Sequence, residues 1–450
     1  MITSAFCNNY RCFNEDVELS FVALEDNALP HTTLNPIRKV TKGEGVNILR
    51  FITLDGQNGT GKTTLATLPE YIAKLAVYGQ MERYEWCRYG SENVRCPAEF
   101  EMHFTVGEWY FKYSVDVFPE SGNLIKERLI SGKLEEAKFD EKEQNLYYYD
   151  ATKNELSVKF LNKDSAEFKR ILKMKEDCPH QSILSKFISS RETLDELMGE
   201  DVDYSNLKSV YYEMKKLLES SESSILVDLE TYESHKPNDF LGESGLSSNY
   251  VAKLIEIKGG YENVYYNTEF KRFQPFDNIL VLDDLRKKLY RVILVDKFLE
   301  DAKIEDIKDI YMTHKSQQCV NVYRLLNVYY RIMVGKQPLI VVDDFNTFGS
   351  ESLLQNFWVW MTSVEDINPE TQVILTGSLE SIYRDSFGYY DCIYFMEHSP
   401  IFVKEKRTMK KVALTEYNIR WPSEWIHYWN ERRMGGITYQ KGVFRKVILE

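Results

Sequence analysis

A glycine-rich run that ends in lysine and threonine is the part of the chain best suited to chemistry. The run GQNGTGKT, residues 56–63, matches the pattern GxxxxGK[ST]. Glycines let the backbone turn its N–H groups toward an anion, the lysine adds a positive charge, and the last hydroxyl is a ligand for Mg²⁺. We therefore predict a site for ATP with Mg²⁺. The residues expected to contact the nucleotide are Gly56, Asn58, Gly59, Thr60, Gly61, Lys62, Thr63 and Thr64.

A pair of aspartates far along the chain is expected to complete this site. The run PLIVVDDF, residues 338–345, places both of them directly after an apolar strand. Asp343 is predicted to hold the magnesium ion with Thr63, and Asp344 to act with Lys62 in catalysis by orienting or activating the attacking water. Asp343 follows Thr63 by 280 positions. Small P-loop kinases and G proteins place the two motifs closer together, whereas ATPase heads with a large insertion place them this far apart.

Apolar runs predict the elements that position these residues. Residues 48–55, ILRFITLD, indicate a strand buried on both faces, and residues 63–79 have helical character that Pro69 bends or interrupts. Residues 98–131 alternate with a period of two and predict an antiparallel meander. In the last third, strands alternate with helices, which is typical of a mainly parallel sheet covered on both faces.

Composition limits the classes of function. The formal net charge of −13 over 450 residues argues against a general polyanion binder, although DNA binding stays open. The seven cysteines and seven histidines show no ligand-like spacing, so neither a zinc site nor a disulfide framework is predicted. Since no apolar run approaches about 18 residues, we expect no signal peptide and no membrane span. A cytoplasmic protein is the resulting expectation.

With these motifs in view, the chain resembles the OLD-like, ABC-class ATPases, relatives of the SMC and Rad-type heads. The matching segments are NNYRCF (8–13), ILRFITLDGQNGTGKTTL (48–65), the alternating run at 97–118, the stretch at 298–358 and TQVILTGSLESIY (371–383). The family opens on a strand with the pattern N-[FY]-[KR]-x-F.

The resemblance implies an α/β fold, namely an ABC-type P-loop ATPase head with a mixed sheet, an antiparallel meander and a helical insertion. Its N-terminal lobe would span residues 1–160 and carry the P-loop and the meander. The helical insertion would span 161–265, and a C-terminal lobe at 266–450 would carry the signature segment and the acidic strand.

The resemblance also implies two further nucleotide contacts. Arg11 would reach the nucleotide because the family's opening strand lies beside the phosphates, with a surface salt bridge as the alternative. Ser316 would contact the γ-phosphate of a nucleotide bound by a second subunit.

Three departures from the family pattern concern turnover. The signature segment SQQC, residues 316–319, has no glycine; Asp344 stands where the family has glutamate; and Ser378 stands where it often has histidine. Together they indicate slow hydrolysis, or nucleotide binding that mainly holds an assembly.

For function, the resemblance implies an ATP-binding sensor or scaffold of bacterial anti-phage defence, as in PARIS-, Septu- and abortive-infection-like systems. Such a subunit would form a homo-oligomer through its heads and control a separate toxic effector, a nuclease, in response to a phage-encoded trigger. Two alternatives remain: an SMC/Rad-like DNA-repair ATPase and a small-molecule P-loop kinase.

Overall fold

The structure is a computed structural model. The residues it describes are 1–13, 16–23, 37–39, 47–56, 59–79, 96–118, 120–134, 144–189, 202–223, 278–284, 289–295, 338–348, 354–355, 357–358, 371–377, 393–398 and 407–411.

The strands, in chain order, are β1 (Ile2–Asn8), β2 (Val17–Ser20), β3 (Ile37–Lys39), β4 (Asn47–Leu49), β5 (Phe51–Asp55), β6 (Ala98–Val106), β7 (Trp109–Phe118), β8 (Asn123–Lys133), β9 (Gln144–Asp150), β10 (Glu155–Val158), β11 (Asn278–Asp284), β12 (Leu289–Val295), β13 (Leu339–Val342), β14 (Gln372–Gly377), β15 (Ile393–His398) and β16 (Arg407–Lys411). The helices are α1 (Lys62–Ala66), α2 (Leu68–Tyr78), α3 (Ala166–Asp177), α4 (Ile183–Ser189) and α5 (Val202–Ser223).

The first of two large sheets is mixed and has the strand order β13-β14-β5-β15-β16. Its first four strands are parallel, and β16 pairs antiparallel with β15. All the residues of β5, β13 and β14 are buried, as expected for strands covered on both faces. The carboxyl ends of parallel strands meet at one edge, so the loops that follow β5, β13 and β14 come together there.

The second large sheet is antiparallel and has the order β10-β9-β8-β7-β6-β1-β2. Strands β6, β7 and β8 confirm the meander predicted for residues 98–131. The sequence analysis did not predict β9 and β10, which extend this sheet on one side. The run at 48–55 is divided at Arg50 into β4, which pairs with β3, and β5, which joins the mixed sheet.

The segment after the glycine loop connects the two sheets. It divides at Thr67 into α1 and α2, and Pro69 stands in the first turn of α2, where its missing N–H costs no hydrogen bond. Helix α1 packs on β14 and β5, whereas α2 packs on β1 and β6. Tyr71 of α2 stacks on Tyr10 with 4.7 Å between ring centroids. The division at Thr67 confirms the interruption of the helix that was predicted near Pro69.

Two buried polar side chains also join the sheets. Gln372 at the start of β14 accepts a hydrogen bond from Ile2 N at 2.7 Å and donates one to Ile2 O at 2.8 Å. The Tyr394 hydroxyl of β15 donates to Ser20 O at 2.6 Å. Both contacts span more than 300 positions of sequence, so they hold the N-terminal strands against the mixed sheet.

Helices occupy the described part of residues 161–265. Helix α5 packs on α2, α4, β13 and β6, so it lies against the two sheets. The division into lobes at 160 and 265 stays a prediction, since much of this region lies outside the described residues. None of the helices in the described ranges is long and apolar enough to cross a membrane.

Candidate functional site

The glycine loop between β5 and α1 has a backbone that only glycine adopts easily. Gly56, Gly59 and Gly61 have φ values of 148°, 83° and 102°. A Cβ atom at Gly56 would lie 2.7 Å from Met396 O, and one at Gly61 would lie 2.6 Å from Cys12 Sγ. At Gly59 a Cβ would meet nothing within 4 Å. The loop is thus packed tightly at its two ends and open at its middle glycine.

Lys62 is held over this loop. Its Nζ donates to Gly56 O at 2.6 Å, and the residue is 6% exposed. Burial lowers the pKa of Lys62, while the negative charges of Asp344, Asp55 and Asp343 oppose that shift. An ammonium group therefore stands beside the loop, and the three nearby aspartates favour its charged form.

A hydroxyl and a carboxylate meet beside the lysine. Thr63 Oγ1, in the first turn of α1, lies 3.0 Å from Asp343 Oδ1 and 2.8 Å from Asp343 Oδ2. Asp343 follows β13 directly. Both groups are hard oxygen donors, and Mg²⁺ is usually bound by one or two protein oxygens together with substrate phosphates. The pair therefore fits the predicted magnesium ligands, Thr63 and Asp343.

Asp344 occupies a constrained turn after the same strand. Its φ of 48° is left-handed, which is uncommon for a residue with a side chain. Its N–H donates to Thr376 Oγ1 at 3.0 Å, and its carbonyl accepts from Thr347 N at 2.8 Å. Burial raises the pKa of Asp344, and so does the charge of Asp343, while Lys62 opposes the rise. A carboxylate with a raised pKa is better suited to accept a proton.

Arg11 lies in a tight turn next to the loop. Tyr10 N donates to Phe13 O at 2.9 Å and Phe13 N donates to Tyr10 O at 2.8 Å, so the motif expected in a strand forms a turn after β1. Cys12 and Phe13 of this turn contact Gly61. Arg11 itself is exposed, with its guanidinium 5.2 Å from the centre of the Tyr10 ring. Its predicted contact with the nucleotide stays a prediction.

The structure brings most of the predicted site together. One group forms the loop and the first turn of α1, and a second follows β13 opposite it: Gly56, Gly59, Thr60, Gly61, Lys62, Thr63 and Thr64, then Asp343 and Asp344. Asn58, Ser316 and Ser378 lie outside the described residues. Among the described residues, no group of three or more His, Cys, Asp and Glu side chains could hold a metal ion by itself.

Thr376 is a site residue that the sequence analysis missed. Its hydroxyl donates to Asp343 Oδ1 and accepts from Asp344 N. The available signal was a threonine at the carboxyl end of an otherwise apolar strand. In sequence it resembles an ordinary β-branched core residue, which hid its role.

The fold and this loop define the chain as an α/β protein with a P-loop. No protein-family model matches the chain, and no curated protein matches it. Among solved structures, the chain is similar to a crystal structure of the SmcHead bound to the C-winged helix domain of ScpA, with 11% identity, 92% of this chain and 99% of that chain covered, and a TM-score of 0.39.

Two further SMC head domains are similar to the same degree. The one from Thermotoga maritima has 11% identity, covers 92% of this chain and 99% of that chain, and gives a TM-score of 0.38. The other, from Pyrococcus furiosus, has an extended coiled coil and is bound to the C-terminal domain of ScpA; it has 12% identity, 96% and 99% coverage, and a TM-score of 0.39.

Proposed function

We propose that this chain is an ABC-type ATPase head that binds Mg²⁺·ATP at residues 56–63 and hydrolyses it slowly. The observation that carries the proposal is the contact of Thr63 Oγ1 with Asp343 Oδ2 at 2.8 Å. It joins the glycine loop to the acidic strand across 280 positions of sequence. A glycine-rich anion cradle, a buried ammonium and a pair of hard oxygen ligands together match what the phosphates of ATP and their metal require.

The described residues have separate tasks in this proposal. Lys62 exchanges its hydrogen bond with Gly56 O for contacts with the phosphates. Thr63 and Asp343 would hold Mg²⁺, which would neutralise phosphate charge. Asp344 orients the attacking water and accepts its proton. The aspartate side chain reaches about one methylene less far than glutamate, so proton transfer is expected to be slow.

The biological part of the proposal is a sensor of anti-phage defence. Heads self-associate through bound nucleotide and control a separate toxic effector, a nuclease, after a phage-encoded trigger arrives. Support comes from the sequence resemblance to OLD-like ATPases and from aspartate in place of glutamate at Asp344. A head that keeps its nucleotide bound is suited to holding an assembly together. A head that hydrolyses ATP quickly would let the assembly dissociate.

Asp344→Asn separates binding from turnover and tests this proposal. The asparagine keeps the size of the side chain but cannot accept the proton, so ATP binding should persist while phosphate release falls by about 10²-fold or more. Sedimentation of this variant with and without Mg²⁺·ATP should then show association only with nucleotide.

Three outcomes would count against the proposal. A strict monomer in both conditions would refute nucleotide-held assembly. Transfer of phosphate to a nucleoside or nucleotide, in place of phosphate release, would show a kinase. Duplex DNA binding that weakens steeply with salt would favour the SMC/Rad-like alternative.

A further inference from the structure

Strand β14 separates the two halves of the candidate site. It pairs in parallel with β13 on one side and with β5 on the other. Thr376, the second-to-last residue of β14, is fully buried and lies opposite Leu54 of β5. Its side chain therefore stands at the sheet edge where the acidic turn and the glycine loop meet.

The Thr376 hydroxyl makes two hydrogen bonds of opposite sense. A threonine hydroxyl has one proton to donate and lone pairs with which to accept. Asp344 N donates to it at 3.0 Å, and it donates its own proton to Asp343 Oδ1. One hydroxyl thus fixes the backbone of Asp344 and the carboxylate of Asp343 at the same time.

This arrangement makes the two oxygens of Asp343 unequal. Oδ1 accepts from Thr376, whereas Oδ2 has the shorter contact with Thr63 Oγ1, 2.8 Å against 3.0 Å for Oδ1. A carboxylate fixed in this way cannot rotate freely about its last bond. Loss of a side chain that orients a metal ligand by hydrogen bonding typically costs about 10–100-fold in metal affinity.

We propose that Thr376 is a positioning residue for the magnesium site, because it orients Asp343 toward the ion that Asp343 and Thr63 share. The inference rests on the proposed function. Thr376 acts through Asp343 and does not itself touch the nucleotide. Its loss should therefore weaken the benefit that Mg²⁺ gives to ATP binding and leave metal-free ATP binding intact.

The test compares two substitutions of Thr376 in the full chain. Thr376→Val keeps the branched shape and removes the hydroxyl, whereas Thr376→Ser keeps the hydroxyl. The affinity for ATP is measured by calorimetry in excess Mg²⁺ and again in EDTA, and the ratio of the two affinities is the readout. The matched control is Thr105→Val in β6, a buried threonine whose hydroxyl donates to a backbone oxygen, Met1 O, at 3.5 Å.

The expected result is a ratio about tenfold smaller in Thr376→Val than in wild type. Thr376→Ser should restore most of the wild-type affinity ratio, and Thr105→Val should leave that ratio unchanged. A Thr376→Val ratio equal to that of wild type would overturn the inference. An equal loss of affinity with and without Mg²⁺ would overturn it too, since that is the mark of a structural defect. Wild type that binds no ATP in either condition would instead refute the proposed function.

Discussion

At the scale of single residues, the loop glycines show how packing and conformation restrict the sequence. Gly61 has a φ of 102° and lies against the turn that contains Cys12 and Phe13. The opening motif of the chain and the P-loop therefore fit each other closely. A side chain at this position would disturb both segments at once.

Gly61→Ala should lower both stability and ATP affinity. The left-handed backbone alone costs an alanine about 1–2 kcal/mol, and its Cβ would also lie 2.6 Å from Cys12 Sγ. Gly107→Ala is the matched control, because Gly107 has a φ of 58° with nothing within 4 Å of the added Cβ. Urea unfolding and ATP titration of both variants check the prediction. Equal losses of stability and unchanged ATP affinity in both would show that the contact with Cys12 is unimportant.

At the scale of elements, a buried ionic network holds helix α4 to the antiparallel sheet. Glu127 of β8 accepts hydrogen bonds from Ser182 Oγ and from Ile183 N, each at 2.8 Å. Lys175 of α3 lies 3.9 Å from Glu127 Oε2 and donates to Gln181 O at 2.5 Å. Burial lowers the pKa of Lys175 and the charge of Glu127 opposes that shift. The carboxylate thus caps one helix and compensates a cation on another.

The segment just before α4, residues 180–182, also lies against the end of α2. Gly79, which ends α2 with a φ of 72°, is so close to residues 180–182 that a Cβ would lie 2.5 Å from His180 O. The chain from the glycine loop through α2 therefore contacts the segment that Glu127 anchors. Helix α2 therefore links the glycine loop to the segment that precedes α4.

Glu127→Gln should destabilise the chain by about 3 kcal/mol, because it leaves the Lys175 ammonium buried without a compensating charge. The double variant Glu127→Gln with Lys175→Met should recover part of that loss. Glu155→Gln, at an exposed position of β10, is the control and should change stability by less than about 0.5 kcal/mol. Urea unfolding measures all three. If the single and double variants are equally unstable, the charge on Lys175 is not the cause.

At the scale of the whole molecule, local pattern predicted the meander and the glycine loop but not the order of strands in the mixed sheet. Apolar runs in the last third of the chain predicted strands that alternate with helices, and the structure has the strands β13, β14 and β15 there. The placement of β14 between β13 and β5 could not be read from the sequence, since pairing between distant segments leaves no local periodicity. Thr376 was missed for this reason: its role exists only once β14 has that place.

The turn at residues 9–13 was misread for a related reason. The motif N-Y-R-C-F agreed with the expected opening strand by residue type, yet the chain turns there so that Phe13 and Cys12 can pack on Gly61. Such packing depends on a contact 48 or more positions away in sequence, which residue types within the motif do not encode. By contrast, the glycine loop was predictable because the residue types that it needs follow one another in the sequence.

The most direct test of the central claim, that residues 56–63 with Asp343 bind Mg²⁺·ATP, is an equilibrium titration of the full chain with ATP in excess Mg²⁺. Wild type should bind saturably, and Lys62→Ala should bind at least about tenfold more weakly because a charged hydrogen-bond donor is lost. Lys153→Ala, a lysine 66% exposed in the β9–β10 turn, should bind as wild type does. Absence of ATP binding by wild type, or equal affinity in Lys62→Ala, would contradict the account.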